Sequence, residues 1–322
     1  MFTRRAALGS LAGFATFISG RAQAQAFPSR PITIVVPYPA GGPVDVVARL
    51  IANDADLGQA ITVDNRAGAS GVLGANAVAR AEPDGYMLVL GTNQTHATNQ
   101  SLLKNCPYDA VKDFVAIGNI CEIPHALVVR KTLEANDVAA LVAMAKQKPG
   151  ALNYGSTSNG SASHLAAELF KTKAGIDMQH IPFRGAAPMT TELLAGRIDL
   201  AFATLPSVIA QIESGDIRAL GIASGKRAAR LPNAPTLREA GVAGVEADAW
   251  FALFAPAKTP APVVDRLYRA VAAVFAKDKP KELLAQQGMT LALRTPAEVA
   301  AALPAEVTKW AEVIKAANVS VE

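Results

Sequence analysis

The chain has 322 residues, enough for one large or two medium domains, and a hydrophobic content of 51% gives ample material for packed cores. The net charge is +4, but residues 1–26 hold Arg4, Arg5 and Arg21 and no acid, and setting those three aside leaves 28 basic residues against 27 acidic ones. With aromatic residues at only 6%, a near-neutral remainder lacks both the basic patch and the stacking side chains of a nucleic-acid groove.

The N-terminus reads as an export signal. Thr3-Arg4-Arg5 precedes an apolar run over 6–18, too short to span a membrane. Ala22-Gln23-Ala24 and Ala24-Gln25-Ala26 are cleavage sites of the small-residue type, so residues 1–26 are expected to be removed and the exported chain to begin at Gln25 or Phe27. The Arg pair and Arg21 fit the twin-arginine route, whereas Ala7, where a bulky apolar residue is usual, fits general secretion. Either route places the protein in the periplasm. Cys106 and Cys121 are too few for a disulfide framework and read either as one pair or as two unpaired thiols.

Residues 32–36 are mostly β-branched and predict a buried strand. Pro37, Pro39, Gly41 and Gly42 stop it, Pro43 suits a first helical position, and Val46, Val47, Leu50 and Ile51 follow at helical spacing. Such a turn leaves backbone N–H groups unpaired at one point and attracts an anion. Strands are predicted at 61–65 and 87–91, with a helix over 71–80 between them. Residues 91–100 read as a polar loop at a strand's C-terminal end, where ligands sit in open α/β sheets.

Strands at 115–120 and 126–129 and a helix over 138–146 come next. A second alternating unit then places strands near 152–155, 178–181, 198–203 and 219–223, with helices at 162–173, 188–195 and 206–214. Its loop over 155–163 repeats the logic of the first: strand end, polar turn, amphipathic helix, with hydroxyls and flexible backbone and no cation. Two such loops in separate halves suggest one ligand gripped from both sides. A strand at 249–256 and helices at 263–277, 280–287, 296–302 and 304–317 close the chain. The pattern is that of an α/β protein.

With both loops in place, the chain resembles the solute-binding proteins of tripartite tricarboxylate transporters, the TctC or Bug family. The likeness runs over 27–322 through Ala40-Gly41-Gly42-Pro43-Val44-Asp45, Asp64-Asn65-Arg66, Pro83-Asp84-Gly85-Tyr86, Pro107-Tyr108-Asp109, Ser163-His164-Leu165, Pro182-Phe183-Arg184-Gly185, Leu205-Pro206-Ser207 and Ala249-Trp250-Phe251. The resemblance implies a two-lobed, type II-like periplasmic binding protein of the Venus-flytrap kind. Each lobe would be a mixed sheet flanked by helices, and two crossover strands would join them. On the sequence the lobes fall at 27–125 with 250–322, and at 126–249. It also implies delivery of ligand to the membrane permease subunits of the transporter, by a monomer with no cofactor. The chain departs from the family at Gly58-Gln59, reached about two residues early, at its two cysteines, and at Ala203-Thr204, where many relatives carry an acid and an amide.

The candidate ligand residues are Tyr38, Pro39, Ala40, Gly41 and Gly42 in the first loop and Ser156, Thr157, Ser158, Asn159, Ser161, Ser163 and His164 in the second. Asn93, Gly185 and Thr204 join them, Thr95, His96 and Asn99 read as lining the far end of the ligand, and Arg184 as meeting a second carboxylate. His164, Thr95 and His96 read equally as locally satisfied side chains, and Arg184 as a salt bridge. Asp45, at the third helical position, reads as a cap or as an i,i+4 partner of Arg49. Enzyme readings lack their motifs: there is no phosphate loop, no dinucleotide spacing, no Gly-x-Ser-x-Gly, and no metal spacing among the four histidines. One rival reading is a hydrolase using Ser156, Ser158 or Ser161 with His164 and an acid behind it. Another is a sensor component that presents ligand to a membrane receptor.

Overall fold

The computed structural model describes residues 27–321, so the export signal expected over 1–26 lies outside the described residues. The chain runs β1 (Ile32–Val36), α1 (Pro43–Asp54), β2 (Ile61–Asn65), α2 (Val72–Ala79), β3 (Met87–Thr92), α3 (Asn99–Leu102), β4 (Phe114–Ile123) and β5 (His125–Arg130). It continues through α4 (Val138–Gln147), β6 (Asn153–Ser156), α5 (Ala162–Ala174), β7 (Gln179–Pro182), α6 (Ala186–Leu194), β8 (Leu200–Thr204), α7 (Leu205–Glu213) and β9 (Ile217–Ile222). The last elements are β10 (Ala249–Pro256), α8 (Ala261–Ala276), α9 (Asp278–Gln286), β11 (Thr290–Arg294) and α10 (Pro296–Ala316).

Two mixed sheets result. The first has the order β11-β4-β10-β3-β1-β2 and the second β7-β6-β8-β5-β9. In the first, β2, β1 and β3 are parallel, and β10 joins β3 antiparallel. In the second, β7, β6 and β8 are parallel, and β5 joins β8 antiparallel. Each sheet is thus a strand-helix-strand-helix-strand unit with its first strand central, closed by an antiparallel strand. The central strand of each is covered on both faces; Ile32, Ile34, Val35 and Val36 of β1 are all inaccessible to solvent.

The chain passes between sheets twice, from β4 to β5 through Pro124 and from the segment after β9 into β10. The crossings are tied together. His125 Nδ1 meets the Ala247 carbonyl at 2.8 Å, Leu205 N donates to the Pro124 carbonyl, and Ala247 N donates to the Ala223 carbonyl. Helix α10 straddles both sheets: it lies against β4, with Val299 and Leu303 in a core of the first sheet, and Trp310 and Ile314 join the core of the second.

Two expectations differ, and one strand was not foreseen. Pro304 was expected to divide two helices, yet α10 is continuous through it. Both Pro304 and Ala300, whose carbonyl loses its partner, lie on the exposed face, so the freed oxygen is open to solvent while Val299 and Leu303 hold the other face. The loop expected over 91–100 is a wide, π-type helical turn over Gln94–Thr98 leading into α3. It is closed by Thr92 N donating to Thr95 Oγ1 and Thr95 N to Thr92 Oγ1. Strand β11 went unforeseen because it is a short edge strand with no buried position to impose alternation. Cys106 and Cys121 are both unpaired thiols; Cys121 lies in the first core beside Met289.

The turn over Gln94–Thr98 depends on one glycine. A Cβ at Gly91 would sit 2.3 Å from His96 Nδ1, whose ring stacks on Phe254 at 4.0 Å. Gly91→Ala is expected to cost about 1–3 kcal/mol through overpacking, read as a lower urea midpoint with unchanged slope. Wild-type stability in that variant would mean that the ring can move aside.

Candidate functional site

A cavity of about 580 Å³ lies between the sheets, within the range of small-molecule sites. It is lined by the loop after β1 (residues 38–44), the end of β3 (Thr92, Asn93, Gln94), the loop before α5 (Thr157, Ser161, Ala162, Ser163), Thr204 at the end of β8, and His125 and Phe251 on the crossing strands. Each sheet therefore contributes the loops that follow its first and third parallel strands. Those two strands flank the point where the strand order reverses, and the C-terminal crevice there is the favoured binding position in α/β sheets.

Two helices of more than three turns, α1 and α5, begin at the cavity wall. Their first-turn N–H groups have no intrahelical acceptor, and the helix dipoles put partial positive charge at the same place. Among the described residues lining the cavity there is no Asp, Glu, Lys or Arg. Positive potential comes from backbone alone.

In the first loop Gly41 takes φ +83°, a left-handed conformation, while Gly42 is extended. The loop is fastened from below by Asp45, which is 2% exposed. Its Oδ2 accepts from Gly41 N at 2.8 Å and Arg49 Nε at 2.9 Å, and its Oδ1 accepts from Asn65 Nδ2 at 3.0 Å. Asn65 Nδ2 also donates to the Tyr38 carbonyl. Burial pushes the Asp45 carboxyl up, but the hydrogen bonds from Arg49, Gly41 and Asn65 outweigh it and hold the group below the usual carboxylate range. Asp45 thus points away from the cavity and shapes the loop. Tyr38 OH bridges to Thr92 Oγ1 at 2.8 Å and reaches Gln94 Oε1, joining the two loops of the first sheet. Burial pushes the Tyr38 phenol up to about 12, so it stays neutral.

The second loop is knitted by its own hydroxyls. Ser161 caps α5, its Oγ accepting from His164 N and Ser158 N and donating to the Ser158 carbonyl at 2.7 Å. Ser163 Oγ accepts from Thr157 N at 2.9 Å. Gly160 N donates to His164 Nδ1 at 3.0 Å, which places the ring proton on Nε2. His164 stacks on His180 at 3.7 Å, and His180 stacks on Tyr154. Burial, with His180 and Lys171 nearby, takes His164 down to about 3, and burial also lowers His180, so the stack is uncharged at neutral pH.

Of the residues singled out in the sequence, the structure brings Tyr38, Pro39, Ala40, Gly41, Gly42, Asn93, Thr157, Ser161, Ser163 and Thr204 to the cavity. It does not bring the others. Thr95 and His96 are wholly buried, and His96 belongs to the aromatic core of the first sheet, where burial takes it to about 3. Ser156 is buried with its Oγ on His180 Nε2 at 2.6 Å and on the Ser158 carbonyl. Ser158 and Asn159 form the exposed loop tip, and Asn159 Nδ2 donates to the Ser320 carbonyl. His164 lies behind the loop, and Arg184 is exposed away from the cavity. Gly185 N donates to the Thr157 carbonyl, which gives Gly185 a role in holding the second loop.

Sequence reasoning missed Thr92, Gln94, His125, Ala162 and Phe251 as cavity residues, along with Pro43 and Val44. The signal for two of them was available: His125 and Phe251 sit on the strands expected to cross between lobes. The hydrolase arrangement is absent. Glu168 Oε1 stands 4.0 Å from His164 Nε2, but the other ring nitrogen is held by Gly160 N and no serine Oγ reaches it.

Asp45→Asn is expected to lose about 1–3 kcal/mol at neutral pH, since Arg49 and Gly41 lose a charged acceptor. A carboxyl depressed in the folded state stabilises above its unfolded pKa of about 3.9 and loses that contribution as pH falls through the folded value. The gap between wild type and variant is expected to be flat down to about pH 5 and to close below about pH 4, measured by urea unfolding. A gap that stays constant into strong acid would remove the ionised carboxylate from the account.

Residues 47–319 match the model of the tripartite tricarboxylate transporter family receptor. The solved structure of Rpa4515 from R. palustris with adipate shares 37% identity over 92% of this chain and 100% of that one, with a TM-score of 0.78. MatC from Rhodopseudomonas palustris with bound malate shares 32% over 89% of this chain and 100% of that one, with a TM-score of 0.75. The periplasmic binding protein BugD shares 34% over 91% and 99%, with a TM-score of 0.74. The matched family is one of periplasmic solute-binding receptors and not of enzymes. With its paired sheets, its interlobe cavity and a family match over most of its length, the chain belongs to the solute-binding receptor family of the tripartite tricarboxylate transporters.

Proposed function

We propose that this receptor captures a small carboxylate that carries no amine, and hands it as a monomer to the permease subunits of a tripartite transporter. The observation that carries the reading is the cavity wall: two helix N-termini face it from opposite sheets, and no charged side chain lines it. A carboxylate enclosed there loses several kcal/mol of solvation, and each charge-assisted hydrogen bond returns roughly 1.5–3 kcal/mol. The amides of Val44 and Asp45 in α1 and of Ala162 and Ser163 in α5, with the Asn93 side chain, offer enough donors. An ammonium group would meet no acid in the lining and would be desolvated without a partner. Bound adipate and malate in two relatives support the class.

The moving bodies in this reading are 27–125 with 250–322, and 126–249, closing about 123–127 and 248–254. Helix α10 contributes to the cores of both. A thermal-shift screen of mono- and dicarboxylic acids, aromatic acids and amino acids tests the class. Ligand at about 100 times its Kd adds roughly 2.7 kcal/mol, which is on the order of 5 °C for a chain of this size. Stabilisation by amino acids alone would refute it. Gly42→Asp sharpens the assignment to this cavity. Gly42 is extended, and a Cβ there meets only the Pro39 carbonyl at 3.6 Å, so the side chain is accommodated. The variant is expected to keep its melting temperature and lose ligand affinity by about 100-fold through like charge. Wild-type affinity would move the anion away from α1.

N-terminal sequencing of periplasmic protein is expected to give Gln25 or Phe27, and a periplasmic form that retains Met1 would refute the expected cleavage. Export blocked by Arg4→Lys with Arg5→Lys is the outcome that selects the twin-arginine route.

A further inference from the structure

The crossing-strand side of the cavity differs from the helix N-termini, because its side chains present hydrogen-bond acceptors. His125 lines the cavity and is 1% exposed. Its Nδ1 lies 2.8 Å from the Ala247 carbonyl, and a carbonyl oxygen only accepts, so Nδ1 carries the ring proton. Nε2 is then a lone pair. It has no hydrogen-bond partner among the described residues, and it is not among the polar atoms sealed from solvent, so it opens on the cavity that His125 lines.

Thr204 stands directly opposite His125 in the antiparallel β5–β8 register, so the two side chains share a sheet face. Its hydroxyl proton is also directed elsewhere. Ser207 Oγ donates to the Thr204 carbonyl at 2.7 Å, and Thr204 Oγ1 donates to Ser207 Oγ at 3.2 Å. With its proton on Ser207, Thr204 Oγ1 keeps only lone pairs to offer on the face it shares with His125. Two acceptors therefore sit side by side, with no Lys or Arg in the lining to offset them and no Asp or Glu to attract a cation.

We propose that His125 and Thr204 form a subsite for an uncharged hydrogen-bond donor, so that the preferred ligand is a carboxylate whose other end carries a neutral O–H or N–H group, in the simplest case a hydroxyl. This rests on the carboxylate reading above and narrows it. The carboxylate goes to the helix N-termini because lone pairs repel it at His125. A second carboxylate at the crossing strands binds only if a proton is taken up to stand between it and Nε2. Burial supports the neutral ring, taking the His125 imidazolium down to about 4 against the opposing pull of the Ala247 carbonyl.

The test is isothermal titration of the full exported chain at pH 7.5 with three matched series. These are 4-hydroxybutyrate, 5-hydroxypentanoate and 6-hydroxyhexanoate; succinate, glutarate and adipate; and butyrate, pentanoate and hexanoate. Each titration is run in two buffers of different ionisation enthalpy, which counts protons taken up. At the best-fitting chain length the hydroxy acid is expected to bind about tenfold tighter than both partners, with no proton uptake, because an unpaired buried acceptor penalises the analogue without a donor. The diacid is expected to take up about one proton. A diacid that binds tighter without proton uptake, or a monoacid that equals the hydroxy acid, would overturn the subsite while leaving the carboxylate reading standing. Binding by no member of any series would overturn both. In His125→Phe the hydroxy-acid preference is expected to fall to within about twofold while the monoacid still binds; a preference that survives in a variant able to bind the monoacid would also overturn the subsite.

Discussion

An anion removed from water must be met by donors that are already aimed at it, and in the proposed reading those donors are backbone groups at a cavity wall that has no cation among its described lining residues. The partial charges at the starts of α1 and α5 act only if the loops ahead of them hold one shape. Asp45 performs that task on one side, gathering Gly41 N, Arg49 and Asn65 around a buried carboxylate that faces away from the cavity. On the other side Ser161 and Ser163 spend their hydroxyls on Ser158, His164 and Thr157. The residues that look most like ligand contacts in the sequence are in part the residues that build the contact surface.

The same economy runs through the architecture. Two copies of one strand-helix pattern face each other, and each offers the loops after its first and third parallel strands. The antiparallel strands β10 and β5 then bring Phe251 and His125 to the cavity, so the segments that join the sheets also line the site between them. The tie from His125 to Ala247 couples the two crossings, and α10 couples the sheets again from outside.

Histidine serves here as a neutral aromatic. His96 lies among Phe254, Phe114 and Tyr108, His164 and His180 stack beneath the second loop, and His125 is fixed in one tautomer at the crossing. Burial disfavours the imidazolium at each of them, so none contributes positive charge. Selectivity among acids must come from where donors and acceptors point, which is a geometric property.

The sequence by itself determined the elements and their order. Short apolar β-branched runs, helical spacing after Pro43, and turn residues between them are local signals, and strands such as Ile32–Val36 and Ala249–Pro256 came out with the expected limits. The two polar loops were legible for the same reason, because a strand end followed by a capped helix start is written in adjacent residues. What only the tertiary structure decided was which polar side chains of those loops face the cavity. His96 and Ser156 look no different in sequence from Asn93 and Thr157, yet one pair is spent in the core and the other lines the site. The continuity of α10 through Pro304 was likewise settled by the cores that hold its inner face. The tautomer of His125 was fixed by Ala247, 122 residues away. Hydrogen-bond direction depends on partners brought together by folding, and residue type and spacing carry no record of them.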